Sequence, residues 1–564
     1  MKFSEITYVR PDLESFIKDS DKLVNTILDK SEKPEKVFEA IKNSFKANDY
    51  LETMLSVCAV RNSINTIDEF YESEQAYWDE NTPLLQASSH KINEALLDSP
   101  HRKFLEEKLG KLTFLQMETS KKTFKEEIIP FLQEENKLST EYSKLIASAK
   151  IEFDGGTYNL SQMAPFVQNI NRDIRKRAGL AVSGFFAANE ETLDKLYDDL
   201  VKIRNKTAIT LGYENFIQLG YDRMGRTDYN AADVKTYRDQ ILKDVVPVVV
   251  ELEKRKAERL SINNPMHYDI VLSFLSGNPT PKGNREWMVN KALKMYSDMS
   301  KETKEFFTFM VDNELMDLDS KPGKAGGGYC TSFPEYKAPF IFANFNGTAH
   351  DVDVLTHEAG HAFQAYQSKD LFPFYRWSTA DAAEIHSMSM EFFAWPWIHL
   401  FFEGDTPKYK YEHLAGAISF LPYGVTVDEY QHFVYANPNA TPAERKKVWR
   451  DIEKKYTPYK KYDEDPFLNK GTWWYKQGHI FGSPFYYIDY TLAQVCAFQY
   501  WIKDQENHQT AWDNYLSLCK LGGSKSFVGL LDAVGLQNPF KEGTVEKIIK
   551  PLSAYLKGID DKKL

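Results

Sequence analysis

The 564-residue sequence predicts a mainly α-helical protein with a small amount of β-structure. Residues 1 to 165 place apolar side chains at the three- and four-residue spacing of amphipathic helices. The same spacing returns from Asn171 to Leu211 and in much of the remaining chain. Strand signals, in contrast, are short and occur in two places.

The first strand signal is the segment Ile151–Gln162, where apolar and polar residues alternate around Asp154-Gly155-Gly156. Asp-Gly between alternating residues is typical of a tight β-hairpin. Because this segment separates two long helical regions, we expect a lobe boundary here. The predicted parts are an N-terminal helical lobe, residues 1–165, and a catalytic region, residues 166–564.

The second strand signal is the aromatic segment Pro339–Phe345, which follows a run of glycines and ends at Asn346-Gly347. The glycines at Gly326 to Gly328 suit a turn or a flexible loop. They lack the G-K-[ST] ending of a phosphate-binding loop, which makes nucleotide binding the weaker interpretation.

The helix predicted after this strand contains His357, Glu358 and His361 in the order H-E-x-x-H. Residues four apart on an α-helix lie about 6 Å apart on the same face, so both imidazoles can bind one metal ion. We expect the metal to be zinc. Glu358 then lies beside the ion, where it is predicted to act as the general base that accepts a proton from the activated water.

Catalytic zinc keeps three protein ligands and leaves its fourth position open, which predicts a third ligand downstream. The best candidate is Glu384, in the helical segment Ser378–Trp395. Glu391 lies seven residues later on the same helical face, where it could orient a ligand histidine or form an ordinary ion pair. His386 is only two residues from Glu384, so it points elsewhere and is predicted to be structural.

A strand directly before a zinc helix is useful to a peptidase if its edge is free. An extended peptide could pair with that edge and present a carbonyl group to the metal. We expect Ala343, Asn344 and Phe345 to bind substrate in this way. The alternative is a strand that is fully paired within its own sheet.

The segment Gly471–Trp501 contains a second group of candidate residues. His479 lies in a region broken by Gly482 and Pro484, and Tyr486 and Tyr490 share one face of the helix that follows. Phenol and imidazole donors near zinc would stabilise an oxyanion. From spacing alone, however, tyrosines of the protein core are the better interpretation.

The composition argues against several classes of protein. With a formal net charge of -11, general attraction to nucleic acid or to an anionic membrane is not expected. Four scattered cysteines indicate reduced thiols rather than a disulfide framework. The N-terminus has no apolar signal region, so we expect no secretion signal, no membrane anchor and a cytoplasmic location.

Several ordered segments together resemble the M3 family of zinc oligopeptidases, in particular its oligoendopeptidase F branch. These segments are KAGGGYCTSF, PFIFANFNGTAHDVDVLTHEAGHAF, AEIHSMSMEFF, DEYQHFVY and GHIFGSPFYYIDY. The resemblance implies a two-lobed helical body around a deep substrate channel with a small β-sheet beside the zinc helix. It also implies one zinc ion per chain and hydrolysis of internal bonds in short unfolded peptides.

Carried over by position, the resemblance also implies roles for individual residues. The zinc ligands would be His357, His361 and Glu384, with Glu358 as the catalytic glutamate. The donors to the transition state would come from His479, Tyr486 and Tyr490, with Tyr487 as an alternative tyrosine.

Two other functions remain open from the sequence. A helical carboxypeptidase or dipeptidyl carboxypeptidase would trim peptides from the C-terminus instead of cutting them internally. A peptide-binding scaffold would keep zinc only as a structural ion. The complete set of Glu358, Glu384 and two histidines argues against the scaffold, because a structural site normally fills its fourth position with protein.

Overall fold

The computed structural model describes residues 1–564 and confirms a mainly helical protein with two small β-sheets. The helices of the first 165 residues are α1 (Leu13–Leu28), α2 (Pro34–Ile64), α3 (Glu69–Asp98), α4 (Arg102–Leu109), α5 (Lys111–Lys122), α6 (Ile129–Ala147) and the start of α7 (Ala164–Val167). None of the protein's helices is long and apolar enough to cross a lipid bilayer.

The N-terminal helices have a hydrophobic cluster of their own, which includes Leu23, Ile41 and Leu105. The main core is much larger and extends along the chain from Ile6 to Leu556, so it also joins the N-terminal helices to the rest of the protein. The lobe boundary near residue 165 stays a prediction.

The predicted hairpin is confirmed. Strands β1 (Ile151–Phe153) and β2 (Gly156–Tyr158) pair antiparallel, with Phe153 opposite Gly156. The two turn residues, Asp154 and Gly155, both have positive φ angles of 45° and 81°. Two consecutive positive φ values are what a type I′ turn requires, which explains the Asp-Gly sequence.

The middle of the chain is again helical. Its helices are α8 (Arg172–Ala188), α9 (Glu190–Leu211), α10 (Phe216–Arg223), α11 (Ala231–Gln240), α12 (Val246–Arg259), α13 (Arg285–Met299) and α14 (Lys301–Asp312). A π-helical turn, Ile241–Val245, joins α11 to α12 just before Pro247. Proline lacks the N–H that an α-helix would need at this position, and the wider turn lets the chain remain helical.

The second sheet has three strands, β3 (Met316–Asp319), β4 (Tyr329–Phe333) and β5 (Ala338–Phe345), in the order β3-β5-β4. Strand β5 is therefore central: it pairs parallel with β3 and antiparallel with β4. Strand β4 pairs with β5 only from Ala338 to Phe342, so Ala343, Asn344 and Phe345 have a strand partner on the β3 side alone. Their expected role in substrate binding stays a prediction. The edge strand on the side of the glycine loop is β4.

The C-terminal part contains the metal-binding motif and the largest share of the core. Its helices are α15 (His350–Ser368), α16 (Pro373–Arg376), α17 (Ala380–Phe393), α18 (His399–Phe402), α19 (Thr406–Ala436), α20 (Pro442–Tyr456), α21 (Pro466–Asn469), α22 (Gly478–Gly482), α23 (Tyr487–Glu506), α24 (His508–Leu521), α25 (Phe527–Val534) and α26 (Thr544–Lys557). Helix α17 packs against both α15 and α23.

Helices α15 and α17 cross at Gly360. A Cβ atom at this position would lie 2.6 Å from the backbone oxygen of His386 and 2.6 Å from the Cα atom of Ser387. Both atoms belong to the backbone of α17 and cannot rotate away. Glycine is therefore required here for the two helices to approach as closely as they do.

We expect Gly360→Ala to force the two helices apart, which should lower stability by about 1 to 3 kcal/mol, as overpacking a core does. Zinc affinity should fall as well, because ligands lie on both helices. The matched control is Gly184→Ala in α8, where a Cβ atom would contact nothing within 4 Å. Thermal denaturation and zinc titration of both variants test this, and equal behaviour of the two variants would contradict it.

Candidate metal centre and active-site cleft

The two histidines of the H-E-x-x-H motif lie on α15, one helical turn apart. His361 is buried, and the side chain of His357 is 18% exposed toward a cleft. Their imidazole rings are 5.0 Å apart between centroids. The helix therefore presents both rings to the same point, as the spacing predicts.

Glu384 of α17 completes a group of three potential metal ligands. Its Oε2 atom lies 3.1 Å from Nε2 of His357 and 3.3 Å from Nε2 of His361. One ligand atom from each residue lies within 4.8 Å of the others. Two imidazole nitrogens and one carboxylate oxygen, which converge without a fourth protein ligand, fit zinc in a catalytic site.

Two further side chains hold the Glu384 carboxylate. Ser387 donates a hydrogen bond to Oε2 at 2.8 Å, and Tyr486 donates one to Oε1 at 2.6 Å. Both carboxylate oxygens thus have a protein partner. Tyr486 precedes α23 directly, so its hydrogen bond connects the start of α23 to Glu384 on α17.

Glu391 bridges two histidines. Its Oε1 lies 2.7 Å from Nδ1 of His357, and its Oε2 lies 2.8 Å from Nε2 of His413 on α19. The Nδ1 atom of His413 accepts a hydrogen bond from the Trp395 indole at 3.1 Å. When Nδ1 of His357 carries the proton and donates it to Glu391, the lone pair on Nε2 of His357 is free for a metal ion. Ligand histidines usually have this arrangement.

The charge of Glu391 is stabilised by these partners. Burial would raise the pKa of its carboxyl group, but the hydrogen bonds from His357 and His413 outweigh burial and lower that pKa to about 2. Of the two roles considered from the sequence, Glu391 has the geometry of an orienting residue. His413 was not identified from the sequence, since nothing in the segment around it links it to a site 56 residues earlier.

Glu358 has a different environment. Its side chain is buried, and its Oε2 atom has no hydrogen-bond partner in the protein. Burial raises the pKa of this carboxyl group, and the nearby histidines act in the opposite direction. An unpaired buried carboxylate oxygen is costly in a structural role and is expected in a catalytic one.

His357, Glu358, Glu391 and His413 line one cleft of about 590 Å³. The side chains that face it include His357, Glu358, Glu391, Gln477, His479, Tyr487, Tyr490 and Gln494. Tyr486 is not among the lining residues. The structure therefore brings His479 and Tyr490 into the same cavity as His357, whereas Tyr486 contacts Glu384.

A chain of hydrogen bonds sets the protonation of His479. Tyr423 donates to Oε1 of Gln477 at 2.9 Å, so the amide nitrogen of Gln477 faces Nδ1 of His479, also at 2.9 Å. The proton of the neutral imidazole then lies on Nε2, which is 3.0 Å from the hydroxyl oxygen of Tyr490. Burial lowers the pKa of His479 to about 4, which keeps the ring neutral.

The residues expected to bind substrate along β5 do not line this cleft. The carbonyl oxygen of Ala343 accepts a hydrogen bond from the Lys324 ammonium at 2.5 Å. The side-chain amide of Asn344 donates to the carbonyls of Ala325 and Gly327, at 2.8 Å each. These residues anchor the glycine loop. Gly328, at the end of that loop, is the part that reaches the cleft.

His386 lies outside the metal-binding group, as predicted. It is fully buried, its Nδ1 atom is 3.6 Å from the thiol of Cys519, and burial lowers its pKa to about 3. A neutral histidine packed against α24 is a core residue.

We expect Glu391→Gln to weaken zinc binding about 10- to 100-fold, because loss of an outer partner of a ligand histidine has this effect in metal sites. The amide group would place an N–H donor against one of the two histidines. The control is Glu429→Gln, since that carboxylate pairs with Lys455 away from the cleft. Competition with a chromophoric chelator measures both affinities, and an unchanged affinity of Glu391→Gln would contradict the orienting role.

Comparison with known proteins identifies the family of this chain. The profile of the Peptidase M3 N-terminal domain matches residues 3–124, and that of Peptidase family M3 matches residues 166–549. A solved structure of Pz peptidase A with an inhibitor is 49% identical in sequence, with complete coverage of both chains and a TM-score of 0.98.

Two curated relatives are more distant. The oligoendopeptidase F homolog of Borreliella burgdorferi is 26% identical over 408 residues, which make up 70% of this chain and 66% of that protein. The chromosomal oligoendopeptidase F of Lactococcus lactis subsp. cremoris is 24% identical over 228 residues, 40% of this chain and 35% of that protein. The alignments thus span just under two thirds and about a third of these relatives.

The family match covers more than half of the sequence and includes every residue of the metal-binding group. The prediction drawn from the ordered motifs is therefore confirmed: the chain belongs to Peptidase family M3.

Proposed function

We propose that this M3-family peptidase is a zinc-dependent oligoendopeptidase, which hydrolyses internal bonds of short unfolded peptides. One observation supports this most directly. His357, His361 and Glu384 converge on one point, and His357 lines the same cleft as Glu358, whose Oε2 atom is buried and unpaired. The names of the similar proteins, oligoendopeptidase F and Pz peptidase, are in line with this activity. The proposal includes the cytoplasmic location expected from the sequence.

His357, His361 and Glu384 would hold one zinc ion. When bound there, zinc would polarise the scissile carbonyl and lower the pKa of a water molecule. Glu391 orients His357 so that its Nε2 atom points to the ion, and Tyr486 fixes the Glu384 carboxylate. These outer contacts preserve the ligand geometry while a peptide enters and leaves the cleft.

Glu358 is proposed as the general base. Its Oε2 atom has no protein partner, so it is available to accept a proton from the attacking water. The same carboxyl group can then give this proton to the nitrogen of the leaving amine. Burial keeps competing solvent away from the carboxylate, and the raised pKa makes it a stronger base than an exposed glutamate.

His479 and Tyr490 are proposed to stabilise the negative charge that develops on the carbonyl oxygen. The N–H at Nε2 of His479 faces the Tyr490 oxygen, so the Tyr490 hydroxyl proton is left for another acceptor. An oxyanion in the cleft would be that acceptor. Tyr487 also lines the cleft, whereas Tyr486 is engaged with Glu384 and acts through the ligand.

A peptide substrate is proposed to lie against the outer edge of β4 instead of β5. Strand β4 is at the edge of its sheet and directly follows Gly328, which lines the cleft. An extended peptide can add to such an edge through main-chain hydrogen bonds.

The test of the proposal is hydrolysis of a short, internally quenched peptide that is blocked at both ends. We expect internal cleavage that chelation abolishes and added zinc restores. Glu358→Gln should retain zinc and lose about 10²- to 10⁴-fold in turnover, as loss of a general base does, whereas His361→Ala should lose the metal. Cleavage that requires a free terminus would indicate terminal trimming and overturn the endopeptidase assignment.

The two tyrosines should differ when each is changed to phenylalanine. Tyr490→Phe is expected to lower kcat about 10²- to 10³-fold, the usual cost of removing an oxyanion donor, with zinc affinity unchanged. Tyr486→Phe should instead weaken zinc binding, since Glu384 loses a hydrogen bond. Steady-state kinetics and zinc titration of both variants check this. The reverse pattern would exchange the two roles.

A further inference from the structure

Five glutamines are buried in this protein, and four of them use their side-chain amides within the protein. These four are Gln240, Gln364, Gln431 and Gln499, each of which donates a hydrogen bond from Nε2. The fifth is Gln494, which is 4% exposed and makes no side-chain hydrogen bond; its Nε2 atom is buried without a partner. Buried amide groups almost always have partners, so Gln494 needs an explanation.

The position of Gln494 in the cleft explains why its amide has no partner within the protein. It lies on α23, four residues after Tyr490 and seven after Tyr487, on the same helical face. All three side chains line the cleft that contains His357 and Glu358. The side chain that carries the unpartnered amide thus borders the space where the proposed chemistry takes place.

The chemistry of the amide indicates the kind of ligand. A glutamine side chain offers one acceptor oxygen and an N–H donor, and it carries no charge. A peptide main chain offers the complementary carbonyl acceptor and N–H donor at every residue, whatever the side chains are. Of the groups in a peptide, the main-chain amide is the one that can satisfy both atoms of Gln494 in any sequence.

We propose that Gln494 binds the main chain of the peptide substrate through its side-chain amide. This inference rests on the proposed peptidase function, and it adds a substrate-binding residue that acts independently of the substrate's side chains. Gln494 would hold the peptide against the wall of α23, beside the donors His479 and Tyr490, while the metal-binding group lies on α15 and α17.

Substitution by methionine tests this inference, because methionine has nearly the shape of glutamine and no amide. The matched control is Gln499→Met on the same helix. Gln499 is equally buried, at 5% exposure, but exchanges hydrogen bonds with the Gln537 backbone: Nε2 donates to the carbonyl at 3.1 Å, and Oε1 accepts from the N–H at 2.7 Å.

Gln494→Met is expected to keep or raise the melting temperature, since no hydrogen bond within the protein is lost. Its kcat/KM for blocked peptides should fall about 10-fold, the effect of about 1.4 kcal/mol, and by a similar factor for peptides of different sequence. Gln499→Met should show the opposite: a lower melting temperature and unchanged kcat/KM. Zinc content should remain complete in both variants.

A Gln494→Met variant that melts earlier and has unchanged kcat/KM would overturn the inference, because the residue would then be structural. A loss confined to peptides with one type of side chain would overturn the main-chain assignment. If the wild-type protein cleaves no peptide, the proposed function fails. The inference is then tested by the binding of a fluorescent peptide to the Glu358→Gln variant with and without Gln494→Met. We expect Kd to rise about 10-fold, and an equal Kd would contradict the inference.

Discussion

The close crossing of α15 and α17 is the constraint on which the site depends. Three potential metal ligands lie on these two helices, and their atoms converge only because Gly360 allows the backbones to touch. The same crossing brings Glu391 within 2.7 Å of His357. One glycine therefore determines both the distance between the ligands and the contact that orients one of them. The core around α17 then fixes this crossing, because α17 is also packed along its length against α23.

The buried carboxylates around this crossing differ in whether their oxygen atoms have hydrogen-bond donors. Glu384 and Glu391 are surrounded by donors, from Ser387 and Tyr486 in one case and from two histidines in the other, so both are stable as carboxylates despite their burial. Glu358 has an Oε2 atom without such a partner. Three glutamates of two neighbouring helices thus have different surroundings: Glu384 and Glu391 are held by donors, and Glu358 has an oxygen without one.

Part of the cleft wall is made by α22 and α23. It consists of neutral polar groups: the imidazole of His479, the Tyr490 hydroxyl and the Gln494 amide. The Tyr423–Gln477–His479 chain fixes the protonation of the first of these groups before any substrate binds. Under the proposed function, these neutral donors and the carboxylates of Glu358 and Glu391 would give the cleft a polarity that suits a peptide bond, whose carbonyl gains negative charge during hydrolysis.

The features that depend on local spacing could be predicted from the sequence. Helical periodicity gave the mainly α fold, H-E-x-x-H placed two histidines on one face of α15, and Asp154-Gly155 specified the hairpin, since each follows from backbone geometry within a few residues. The two-turn spacing of Glu384 and Glu391 was visible in the same way.

The features that depend on contacts between distant segments became known only from the tertiary structure. Strand β5 became central because β3 and β4 pair with it from both sides, and no local pattern reports strand order. The contact of His413 with Glu391, the contact of Tyr486 with Glu384 and the position of Gln494 at the cleft likewise arise from packing between helices far apart in the chain. There, a residue's neighbours are set by the fold rather than by its sequence position.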